Sequence, residues 1–128
     1  MKTKLLVLIG AALMLAGPAF AHHSFAMFDY SREVTIVGEV KELRWRNPHI
    51  HILVNVPDGK DGMAEWDVEG GTPGTLRRTG WSKDILKPGD KVSIVIRPLK
   101  NGAKGGNLIK ANRGDGTLIG TAGAGGGN

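Results

Sequence analysis

Residues 33–45 read Glu33-Val34-Thr35-Ile36-Val37-Gly38-Glu39-Val40-Lys41-Glu42-Leu43-Arg44-Trp45, and the phase of their apolar positions decides the fold. Val34, Ile36, Gly38 and Val40 alternate with polar or outward positions, the period-2 spacing of a half-buried strand. The apolar phase then moves to Leu43 and Trp45, as one extra residue near Lys41-Glu42 produces in a β-bulge. The segment is therefore one long, bent strand. Long bent strands are how a small sheet curls far enough to close on itself.

Working outward, Asn47-Pro48 interrupts the strand, and Ile50, Ile52, Val54 and Val56 form a second period-2 face that ends at Pro57-Asp58-Gly59. A third strand places Ala64, Trp66 and Val68 on one face and Met63, Glu65, Asp67 and Glu69 on the other. Gly70-Gly71 stops it. Thr72 is an N-cap with Pro73 at the first helical position, and Gly80 closes a short helix. Lys87-Pro88-Gly89-Asp90 is a turn that launches a fourth strand with Val92, Ile94 and Ile96 inward, and a fifth follows around Asn107 to Ala111. The order β-β-β-α-β-β predicts an all-β domain with one short helix, an OB-like five-stranded barrel. The alternative is a small open β-sandwich of the same strands. Residues 114–128 hold seven glycines and little to bury, so the barrel domain is expected over 22–113 and a disordered Gly-rich tail over 114–128.

Residues 1–21 have the pattern of an export signal. Lys2 and Lys4 are its charged start, Leu5 to Leu15 its apolar stretch, and Ala19-Phe20-Ala21 its cleavage pattern. The apolar run is too short for a stable bilayer anchor, so the expectation is a periplasmic or secreted protein with no membrane anchor after cleavage. Of 128 residues, 107 would remain, one small domain. The mean hydropathy of −0.13 suits a folded soluble chain. The formal charge of +5 falls to about +3 without Lys2 and Lys4, too little to argue for nucleic acid. There is no cysteine, which excludes disulfides, thiolate metal sites and cysteine nucleophiles.

The four histidines, His22, His23, His49 and His51, all lie beyond the signal and form two tight pairs. If Ile50, Ile52 and Val54 face the core, period 2 sends His49, His51, Leu53 and Asn55 to the opposite face. Two imidazoles about 7 Å apart at their bases can converge on one ion. Cleavage after Ala21 would make His22 the N-terminus, whose α-amine and ring nitrogen can chelate one metal together. A further imidazole completes the three nitrogens of a histidine brace, a tetragonal arrangement that favours copper. The α-amine has a pKa of about 8, so metal can displace its proton at neutral pH. His22 ranks first as ligand, then His49, with His51 and His23 competing for third place. The plainer alternatives are a solvated N-terminus and an ordinary polar strand face.

Other constellations carry less. Met27 can serve as an axial thioether or fill the barrel end beside Phe25 and Phe28. Glu65, Asp67 and Glu69 can hold a cation, orient a histidine, or simply solvate a strand. Arg44 and Arg46 around Trp45 have the composition of a stacking platform for single strands, against which export counts, and Arg77-Arg78 is too short for a polybasic patch. Ser24 beside His23 offers neither triad geometry nor an oxyanion hole.

His22-His23-Ser24-Phe25, Phe28-Asp29, Asn47-Pro48-His49, Glu69-Gly70-Gly71 with Pro73, Gly80-Trp81 and Leu86-Lys87-Pro88-Gly89-Asp90 together resemble a family of small exported bacterial proteins of unknown function. Its mature chain begins His-His-Ser-Phe and carries an Asn-Pro-His motif. The resemblance spans His22 to about Gly106. It implies a periplasmic or secreted β-domain, brings no activity, and implies other residue types at position 51 in many relatives, which lowers His51 as a ligand. The functional expectation is an exported copper-binding carrier or accessory, not a hydrolase, with a periplasmic protein as a possible partner. A metal-free binding module docking a protein or small ligand is the alternative, and a copper oxidase using the same brace is a third class.

Overall fold

The computed structural model describes residues 26–59 and 61–122. Strands β1 (Val34–Arg44), β2 (His51–Asp58) and β3 (Gly62–Glu69) precede helix α1 (Pro73–Arg78), followed by β4 (Lys91–Pro98), β5 (Gly105–Arg113) and β6 (Leu118–Thr121). The sheet order is β3-β2-β1-β4-β5-β6, and a parallel pairing of β3 with β5 closes the first five strands into a barrel. Closure decides between the two architectures: the domain is an OB-like barrel and not an open sandwich.

The closing seam is three register pairs long, Asp67 with Gly105, Val68 with Gly106 and Glu69 with Asn107. Both glycines are needed there. A Cβ on Gly105 would come within 2.7 Å of the Asp67 carbonyl, and one on Gly106 would overlap the Arg97 carbonyl. The bend in β1 comes from a register shift against β2 between Val40 and Glu42, at the position where the apolar phase changes. The helix also starts as expected: Thr72 Oγ1 accepts from the Thr75 N–H at 3.1 Å, and Pro73 occupies the first turn.

The core is the set of inward residues of all five barrel strands, including Ile36, Val40, Ile52, Val54, Val68, Val92, Ile94, Ile96 and Leu108. Leu76 of α1, Trp81 and Leu86 plug its base. Trp81, 2% exposed, donates its indole N–H to the Thr121 carbonyl at 3.1 Å.

That hydrogen bond corrects the expected boundary at residue 113. The segment expected to be a disordered tail over 114–128 carries β6, paired to β5 through Lys110, Ala111 and Asn112. A Cβ at Gly120 would overlap the Trp81 indole, so the glycine there is a packing residue. Residues 123–128, and the expected export signal over 1–21, lie outside the described residues. No helix among the described residues is long and apolar enough to cross a membrane.

Candidate functional site

The outward face of β1, β2 and β3 gathers the polar chemistry into a ladder. His51 and Glu69 stand directly opposite in the register, as do Leu53 and Asp67. The side chains meet diagonally instead. His51 Nδ1 lies 2.7 Å from Asp67 Oδ1, and His49 Nδ1 lies 2.7 Å from Glu69 Oε1. Both contacts are offset by two residues in the same sense, as the reach of an imidazole across a twisted strand pair allows. The third carboxylate of β3, Glu65, pairs with Lys41 of β1. Each acidic residue of the row therefore has a partner: of the three options, Asp67 and Glu69 each meet a histidine, while Glu65 and Asp67 also remain exposed to solvent.

His49 itself precedes β2, in the connection that contains Asn47-Pro48. It still falls in phase with His51, because Ile50 between them is fully buried and its N–H donates to the Gly71 carbonyl at 3.0 Å. Leu53 departs from expectation. It shares the outward phase of His51 and Asn55, yet is only 2% exposed. Lys41 on β1 must cross β2 to reach Glu65 on β3, and Leu53 lies on that route, where an aliphatic lysine stem can cover it. The histidines thus stand beside an apolar floor, not on a fully wetted strand.

Chemically, a carboxylate at Nδ1 fixes a neutral imidazole as the Nδ1–H tautomer and leaves the Nε2 lone pair outward, the usual arrangement behind a metal-binding histidine. His49 and His51 are half-buried and so arranged. Among the described residues no group of three or more histidines, aspartates and glutamates is poised to share one ion, so a site using these two imidazoles needs further donors. His22 and His23 lie outside the described residues. Just after the described residues begin at 26, the chain is anchored at Met27 and Phe28: the Lys100 N–H donates to the Met27 carbonyl at 2.9 Å, and Phe28 bridges Leu99. The same turn meets β3 where the Asp67 N–H donates to the Lys104 carbonyl at 3.2 Å. The N-terminal segment and the carboxylate that holds His51 are therefore anchored to one turn.

A second feature of the outer surface was not legible in the sequence. Val37, Asn55, Pro57, Met63, Lys91 and Ser93 line an open groove of about 320 Å³. Val37 and Met63, each 61% exposed, give it an apolar lining. No spacing in the chain marks it, because it is assembled from four strands.

Residues 11–109 match the model of a protein family described as a family of unknown function. No curated protein and no solved structure matches the chain.

Proposed function

Because the chain belongs to this family, DUF6152, whose description assigns no activity, we propose from its chemistry that it is an exported copper-binding carrier or accessory protein. In this reading the mature chain begins at His22, as the His-His-Ser-Phe motif after an export signal suggests, and acts in the periplasm or outside the cell. The observation that carries the reading is the pair of imidazoles, His49 and His51, each turned by a β3 carboxylate so that Nε2 is the free nitrogen. The α-amine and ring of His22 supply two nitrogens, and His49 or His51 the third, with His23 in reserve. Three nitrogens in that arrangement select copper by geometry and by the affinity order of divalent ions. The shared anchorage of Met27 and Asp67 on the turn after β4 supports bringing the N-terminus to this face.

The test is a copper titration with intact-mass analysis of the exported protein. A mature chain starting at His22 is expected to bind one copper. Acetylation of the mature N-terminus retains all four histidines but takes the α-amine out of coordination, and most of the affinity should go with it. Equal affinity of the two forms, or a mature chain starting elsewhere, excludes the brace. The groove beside Val37 and Met63 favours the second reading, a metal-free module that docks a protein or small ligand. A protein that takes up no copper yet binds a periplasmic partner through that groove would establish it.

A further inference from the structure

The base of the barrel holds a different cluster, built on Trp45 at the end of β1. Its ring packs against the core, and Arg77, in the last turn of α1, lays its guanidinium over the ring at 5.8 Å from the centroid. A guanidinium held over a ring by the cation–π attraction makes no hydrogen bond to it, so its N–H fork remains able to meet an oxyanion two bonds at a time. The neighbours add charge without cancelling it. Glu42 is taken by Arg44 at 3.0 Å, while Arg46, Arg77 and Arg78 have no carboxylate within ion-pair distance among the described residues. Trp45 supplies a second, independent observation, because its Nε1 is buried and has no acceptor among the described residues. Buried indole N–H groups normally find one. An orphaned donor and a guanidinium meet at one indole, with Arg46 next to Trp45 in the chain and Arg78 next to Arg77 in the helix.

We propose that Arg77, with Arg46 and Arg78 beside Trp45, forms a receptor for a phosphate-class oxyanion. Three uncompensated guanidiniums match a multiply charged group better than a single carboxylate does. A free phosphate ester and a phospholipid headgroup present the same chemistry, and the experiment separates them. Arg77 and Arg78 also complement the C-terminal dipole of α1. A lysine at position 77 preserves that role and abolishes the fork.

The full chain is titrated with sodium phosphate and, at matched ionic strength, with sodium chloride, while the Trp45 indole N–H and the arginine Nε–H resonances are followed by NMR. In parallel it is sedimented with phosphatidylcholine vesicles with and without phosphatidic acid. Phosphate is expected to move the Trp45 resonance to saturation where chloride does not. Arg77→Lys should weaken the response at least tenfold, and Arg32→Gln, at the opposite end of β1 from Trp45, should leave it unchanged. Saturation by phosphate without sedimentation assigns a free ester; sedimentation only with phosphatidic acid assigns a headgroup. A Trp45 resonance that ignores both probes, answers chloride equally, or responds alike in Arg77→Lys overturns the receptor.

Discussion

The outer β1–β2–β3 face and the barrel base solve opposite problems with similar numbers of residues. On the face, Lys41–Glu65 and His51–Asp67 are largely exposed pairs and His49–Glu69 a half-buried one, and exposed pairs contribute little to stability. At the base, Trp81 is sealed between Leu76 and the β6 backbone and spends its one polar atom on Thr121. The face has freedom to vary its chemistry because the base and core carry the fold. A residue important to one should therefore be nearly silent in the other.

The largest break in that contrast is Trp81→Ala, which empties the base and is expected to cost about 3–5 kcal/mol by urea unfolding. A loss below 1 kcal/mol would mean that the base is not where stability resides. Truncation after Thr117 comes next. It removes β6, the Trp81 acceptor and the Gly120 backbone packed on the indole, and should cost about 1–3 kcal/mol; an unchanged melting temperature would return 118–121 to the status of a tail. On the face, Asp67→Asn should alter stability by less than about 1 kcal/mol. It should nevertheless redistribute the His51 ring tautomers, read from imidazole ¹⁵N shifts, and an unchanged tautomer shows that the carboxylate does not orient the ring. The smallest effect belongs to two turns away from both regions. The Ser31 hydroxyl and N–H hold the Asp29 carboxyl below its ordinary value of 3.8, and hydrogen bonding from Thr117 does the same for Asp115. A lowered folded-state value means stabilisation that is full above about pH 4 and is lost as pH falls through the lowered value. NMR titration of both carboxyls should give midpoints below 3.8, and Ser31→Ala, which removes the hydroxyl and keeps the backbone N–H, should raise that of Asp29 alone part of the way towards 3.8.

The two regions were also unequally legible. Inward strand positions follow from period 2, so the Ile52–Val54 and Val92–Ile96 faces and even the bulge after Val40 could be read from one strand at a time. The helix start at Thr72-Pro73 is equally local. β6 was missed because its composition is that of a flexible segment, and the reason for Gly120 is an indole about 40 residues earlier. The carboxylate partners of His49 and His51 were left among several options, since strand spacing does not reveal that contacts run diagonally. Leu53 keeps the expected outward phase yet is buried, because alternation describes which way a side chain points and not how far its neighbours cover it. His22 and His23 are read from the chain alone, and their part in the site rests on the proposed N-terminus.

The short parallel seam between β3 and β5 has a kinetic consequence. Its three pairs join residues 38 positions apart, Asp67 to Gly105 through Glu69 to Asn107, whereas β2 and β3 are joined by a tight hairpin with eight pairs. Loop-closure entropy must be met before those few distant contacts repay it, so the hairpin is expected to form early and the cylinder to shut late. In the native state the same seam is where the cylinder should open first. Hydrogen exchange should then find the Asp67 amide, held across the seam by the Lys104 carbonyl, less protected than the amides that pair β2 with β3 on the other side of that strand.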